Sequence, residues 1–213
     1  MRSSSNSLSL LGLFVNNMTT QIELPIVLGS SSKWRGEILR EQGVPVAEYV
    51  APDIDERAIR SEDPHEMTLL IARAKMESVA AKLKRPAIAI TCDQVILWKG
   101  QVREKPESPE ECRAFLHSYA EAPAVCVSSV VVRNTRTGQQ KEAISVAILH
   151  FKPIDDAFIT SLIAQGDALK CAGGFVVEEM GQYLSSLYGE METVRGMSGA
   201  TVVGLLRELG AKY

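Results

Sequence analysis

A chain of 213 residues with 46% apolar side chains is long enough for one substantial core or two small lobes, and it excludes a chain too polar to fold. A net charge of −3 without a Lys/Arg block argues against a nucleic-acid polymer or an anionic membrane as the main partner, so any bound anion must be held by local groups. The four cysteines, Cys92, Cys112, Cys126 and Cys171, lack C-x-x-C spacing and read as free thiols of a cytoplasmic protein.

In chain order, residues 1–21 form a Ser/Asn-rich tail whose apolar patch "LSLLGLF" is too short to span a bilayer. We expect this tail to be disordered, with an organelle-targeting segment as the alternative, and residues 22–213 to form one domain. Ile26 to Gly29 is a short apolar strand. Ser32 then suits an N-cap, Trp34 to Gln42 a helix, and Gly43 the C′ position. At "DPHE", Asp63 caps a helix with Pro64 at its first position and Glu66 three residues after the cap. Apolar Met67, Leu70, Ile71 and Ala74 continue it at helical spacing to about Leu83.

"AIAITCDQVILW" (Ala87 to Trp98) is a mostly apolar strand that ends in a Lys99-Gly100 turn, and "SPEE" from Ser108 opens another helix. "AVCVSSVVVRN" and "EAISVAILHF" flank the turn Thr135 to Gly138 as an antiparallel hairpin. Helices at Asp155 to Gln165 and Ser198 to Leu209 complete an α/β pattern with a mixed sheet.

Chemistry concentrates at two places. A strand running through Ser30, Ser31 and Ser32 into a helix aims backbone N–H groups and the helix dipole at one spot, where Arg35 adds donors; this suits a phosphate. Asp93 lies inside an apolar strand, where a carboxylate is costly unless it is paired or binds a metal. Lys75, at the edge of its helix's apolar stripe, and Lys105, in "REKP", are the cations placed to meet it. Asp53 and Asp55 in "PDIDER" offer oxygen ligands. His65, His117 and His150 are dispersed, which disfavours a Ser-His-Asp or Cys-His machine.

The stretches "LGSSSKWRGEIL", "APDIDE", "IARAKMESVA", "TCDQVIL", "EKPESPEECRAFL", "KCAGGF" and "VRGMSGATVVGLLRELG" together resemble the Maf family of nucleoside triphosphate pyrophosphatases, from Ile26 to Gly210. The resemblance implies a two-lobed Maf/ITPase-like α/β fold with a strongly twisted mixed sheet and a cleft between the lobes. It implies hydrolysis of a nucleoside triphosphate to the monophosphate and pyrophosphate with a divalent cation, Mg or Mn, and suggests a homodimer. Carried over, it makes Ser30, Ser32 and Arg35 the phosphate loop, Asp55 and Asp93 the metal carboxylates, Lys75 and Lys105 the catalytic lysines, and Asp93 the proton acceptor.

Most members resemble S-x-S-P-R-R at the first motif and A-D-T at the second, and act on pyrimidine nucleotides such as dTTP and UTP. Trp34, Gln94 and Glu178 stand instead at those specificity positions, a trio that resembles the 7-methyl-GTP pyrophosphatase branch. Physically, an indole attracts the positively charged ring of 7-methylguanine by about 0.5–2 kcal/mol, and a carboxylate at Glu178 accepts hydrogen bonds from guanine N1–H and the amino group. Gln94 completes the base edge or helps to place the phosphates. Lys33 and Gly36 depart from the usual Pro and Arg, and Glu104, in place of a Gly, is expected to dull the charge of Lys105. The alternatives are a dTTP/UTP pyrophosphatase of the same family and a nucleotide-binding regulatory protein with little turnover.

Overall fold

The computed structural model describes residues 23–213, so the expectation for the N-terminal tail lies outside the described residues. Seven strands form one mixed sheet: β1 (Ile26–Gly29), β2 (Val46–Tyr49), β3 (Ile88–Trp98), β4 (Gln101–Arg103), β5 (Ala124–Asn134), β6 (Gln140–Phe151) and β7 (Leu184–Tyr188). The order is β2-β1-β3-β5-β6-β7, with β4 also paired to β3. β1 runs parallel to β2 and β3, and every other pair is antiparallel. Six α-helices among the described residues flank the sheet: α1 (Lys33–Glu41), α2 (Pro64–Lys82), α3 (Pro109–Ser118), α4 (Asp156–Gln165), α5 (Met191–Arg195) and α6 (Gly199–Glu208).

Side-chain alternation along β3 assigns the layers. Ala87 and Ala89 pack with Ala72, Met76 and Val79 of α2, and Val95 packs with Met67 and Ile71 of the same helix. Ile88, Ile90 and Cys92 face the opposite side, against Ile38 and Leu39 of α1 and Val202, Leu205 and Leu206 of α6. Where β5 and β6 extend beyond β1, a second core forms around Leu116, Tyr119, Leu149, Phe151, Ile159 and Phe175 under α3 and α4. Tyr119, Phe151 and Phe175 pack mutually, with ring centroids 5.5–5.9 Å apart.

The expected caps hold at α2 and α3: Asp63 accepts from the His65 N–H at 2.9 Å and Ser108 from the Glu111 N–H at 3.1 Å. Ser32 occupies the N-cap of α1, but its side chain makes no capping bond. The expected strands and helices recur to within a residue or so. The strands and α-helix not foreseen are β2, β4, β7 and α5, which are three to five residues long. Such segments carry too few residues for a period, and tertiary pairing decides them.

One turn locks the two halves together. Gly173 and Gly174 adopt φ of 69° and 75°, and a Cβ on Gly173 would stand 2.7 Å from both Ile96 Cγ1 and the Tyr119 hydroxyl. The Gly173 N–H donates to the Glu104 carbonyl at 2.9 Å, and its own carbonyl accepts from the Tyr119 hydroxyl at 2.8 Å. Only glycine meets both the left-handed backbone and the close approach. Gly173→Ala is therefore expected to cost at least about 2 kcal/mol. Urea unfolding should show a lower midpoint at unchanged slope, whereas Gly181→Ala, at an open position with ordinary φ, should leave the midpoint unmoved.

Candidate active site

The site begins as a gap in a strand edge. β1 pairs with β3 from Ile26↔Ile88 to Gly29↔Thr91, and β4 covers the same edge from Ile96 to Trp98. Between them, Cys92 to Val95 has β5 on one side and, among the described residues, no strand on the other. The chain leaves β1 into the serine loop and leaves β4 into Glu104-Lys105, so both loops flank the gap. It forms the floor of a cleft of about 950 Å³ at the carboxyl end of β1, where open α/β sheets bind ligands. Gly29 allows this approach: a Cβ there would meet Thr91 Cγ2 at 2.6 Å and Val79 Cγ2 at 2.7 Å.

The sequence candidates Ser30, Ser32, Trp34, Arg35, Asp55, Lys75, Asp93, Gln94, Lys105 and Glu178 all line this cleft; Asp53 does not. On the floor, Lys75 Nζ donates to Asp93 Oδ1 at 2.7 Å, and both side chains are almost wholly buried. Glu56, which sequence reasoning missed, stands 3.1 Å from the same ammonium. Its signal was present in "PDIDER", but nothing in that acidic run says which carboxylate turns inward. Among the described residues, no buried side-chain oxygen lacks a partner and Asp93 Oδ2 accepts no hydrogen bond, so that oxygen opens to the cleft.

At the mouth of α1, Ser30 Oγ accepts from the Ser32 N–H at 3.1 Å and from Arg35 Nη1 at 3.2 Å. Arg35 Nε donates to the Gly196 carbonyl at 3.3 Å, and Ser128 Oγ donates to the same carbonyl at 3.0 Å. Arg35 is thus anchored from the far end of the chain, while the first-turn N–H groups of α1 complete a cluster of anion donors. Among the described residues Lys105 forms no ion pair. Glu104 does not dull it as expected: its carboxylate turns to Arg60 at 3.1 Å.

The specificity trio is distributed around the same cleft. Trp34 is half-buried against the second core. Gln94 donates its amide to the Thr193 and Val194 carbonyls, each at 3.0 Å, which leaves its carbonyl as the group available to a ligand. Glu178 Oε1 accepts from Arg195 Nε at 3.2 Å, and Arg195 also pairs with Glu41 at 2.9 Å and Glu37 at 3.5 Å. Arg195 was not foreseen; two carboxylates of α1 and one from the loop at Glu178 converge on it only in the fold. Burial pushes the Cys171 thiol in the cleft up to about 11, so near neutral pH it remains protonated and is no nucleophile.

No cluster of three or more His, Cys, Asp or Glu side chains at metal-binding spacing occurs among the described residues. The Asp55 carboxylate accepts from the Arg57 N–H at 3.1 Å, and Asp93 is paired through Oδ1. This hard-oxygen set fits a magnesium-like ion only where phosphate oxygens and water complete the shell.

A family model described as Maf-like protein matches residues 25–209. A 7-methyl-GTP pyrophosphatase of Dictyostelium discoideum is 44% identical over 192 residues, covering 87% of this chain and 97% of that protein. A protein of the same name from Vibrio vulnificus is 28% identical over 84% of this chain and 88% of its own length. A nucleoside triphosphate pyrophosphatase of Thermosynechococcus vestitus is 29% identical over 88% of this chain and 94% of its own length. A dITP/XTP pyrophosphatase structure from Mycobacterium abscessus covers 69% of this chain and 97% of its own at 12% identity and a TM-score of 0.35, a likeness too slight to bear on function. With the matched region spanning nearly all of the described residues, and its serine loop, acidic turn and buried lysine–aspartate pair brought to one cleft, this chain belongs to the Maf-like protein family.

Proposed function

We propose that this chain is a nucleoside triphosphate pyrophosphatase that hydrolyses 7-methyl-GTP to 7-methyl-GMP and pyrophosphate. The observation that carries this reading is the pairing on the cleft floor: a carboxylate with one oxygen held by Lys75 and the other open, in the cleft that also holds the Arg35 and Lys105 cations. The named activity of the Dictyostelium relative supports the substrate.

Hydrolysis at the α-phosphorus needs a proton acceptor for the attacking water and positive charge for the departing pyrophosphate. Asp93 Oδ2 accepts the proton. Lys75 holds the other oxygen and fixes the carboxylate's orientation, and its second partner Glu56 fixes the lysine. Ser30, Ser32, Arg35 and the first-turn N–H groups of α1 bind phosphate oxygens, and Lys105 lies opposite, on the loop after β4. Asp55 and Asp93 would hold a magnesium or manganese ion together with phosphate oxygens, and that ion supplies charge neutralisation at the phosphates. In the same cleft, Trp34 stacks on the cationic base while the second Glu178 oxygen and the Gln94 carbonyl accept from its edge.

Asp93→Asn keeps an oxygen for Lys75, so the fold should survive while turnover falls at least about a hundredfold. Pyrophosphate release beside a thermal melt reads both, and activity within tenfold of wild type would remove Asp93 as the base. The double substitution Trp34→Arg with Glu178→Gln should move preference toward dTTP or UTP across a panel of methylated and unmethylated triphosphates. An unchanged order of substrates would defeat the assignment of the base pocket.

A further inference from the structure

The indole face that would receive a cationic base already carries a cation. Lys33 Nζ lies 4.4 Å from the centroid of the Trp34 ring, and the same ammonium reaches Asp167 Oδ2 at 3.2 Å. Lys33 opens α1, and Asp167 follows the left-handed Gly166 that ends α4, so their bridge crosses the cleft. The Lys33 and Lys170 ammonium groups both hold the Asp167 carboxyl below its ordinary range. Lys170 takes the other oxygen, Oδ1, at 3.3 Å.

We propose that Lys33 is a displaceable internal cation occupying the place of the substrate's charged base, and that Asp167 is the counterion to which that base is transferred. This rests on the reading of the cleft as a 7-methyl-GTP site and deepens it by naming two residues that set selectivity for a charged over a neutral ring. An aromatic face beside a carboxylate selects a cation whatever its source. A methylated guanine that stacks on Trp34 must expel the ammonium, and it then meets the oxygen of Asp167 that the ammonium leaves, because Lys170 stays on the other one. A neutral guanine would give up the ammonium's attraction to the ring and return none, so it is disfavoured. The exchange is open to solvent: the Lys33 side chain is 58% exposed and that of Asp167 39%, and ion pairs so exposed are weakly held.

The test measures binding of 7-methyl-GMP and GMP, and separately of 1-methylnicotinamide and uncharged nicotinamide, by calorimetry or ligand-observed NMR. Lys33→Gln removes the competing cation from an exposed position, and Asp167→Asn is introduced on that background to remove the counterion; melting curves check that both fold. Lys33→Gln should tighten 7-methyl-GMP and 1-methylnicotinamide about two- to fivefold, with GMP and nicotinamide changed less, and adding Asp167→Asn should cancel the gain. Equal changes for charged and neutral members of each pair, or no loss on adding Asp167→Asn, would overturn the proposal. A wild-type protein that binds 7-methyl-GMP no better than GMP would reject the substrate reading instead, and the nicotinamide pair would then decide the role of Lys33 by itself.

Discussion

A carboxylate inside a central strand is the constraint around which this protein is arranged. Leaving Asp93 buried and unpaired would cost several kcal/mol, and Lys75 on α2 offsets that cost at 2.7 Å. The pairing fixes how α2 lies on the sheet, because Thr91 on the same face of β3 donates to the Ala72 carbonyl one turn earlier in that helix. It also requires Glu56 nearby, since a buried ammonium facing one carboxylate has donors to spare. The acidic turn is thereby drawn to the cleft, bringing Asp55 and the loop of Arg57 and Arg60 with it. Those arginines tie to Glu107 at 2.9 Å and Glu104 at 3.1 Å, and so join the acidic turn to the segment that carries Lys105.

The cleft itself is a property of strand lengths. β1 stops at Gly29 while β3 continues to Trp98, and β4 returns only as far as Ile96. The interval left bare exposes Asp93 from one face of the strand and Gln94 from the other, which consecutive residues of a covered strand would not present to one ligand. Phosphate donors arrive from the end of β1 and the lysine from the end of β4. The left-handed turn at Gly173 holds the Glu104 carbonyl and so places Lys105. Arg35 and Gln94 are both braced by α5 and its C-cap, through the carbonyls of Gly196, Thr193 and Val194, so this short segment positions two groups of the cleft.

Charge in and around the cleft is arranged in linked sets. Arg195 gathers Glu37, Glu41 and Glu178; Lys75 joins Glu56 and Asp93; Asp167 holds Lys33 and Lys170. Each set fixes a side chain that would otherwise sample many rotamers, and fixed groups are what a triphosphate or a charged base can be recognised by.

Much of this was legible in the chain. Asp93 stood out because an acid in an apolar strand has to be explained, and the serine loop because strand, hydroxyls and helix start follow one another in sequence. The caps at Asp63 and Ser108 and the hairpin around residues 135–138 are local chemistry, so their neighbours specify them. The partnerships were not legible. That Glu56 rather than Asp53 turns to Lys75, that Glu104 faces Arg60 rather than Lys105, that Gln94 braces α5, and that Lys33 lies over Trp34 beside Asp167 all depend on segments from 19 to 134 residues apart. Sequence by itself determined which elements form and which residue types carry charge into them, because short-range hydrogen bonding and apolar period act along the chain. Tertiary structure alone decided which charge meets which, because an ion pair depends on distance in space, and that distance is set only when the sheet leaves its gap and the loops close around it.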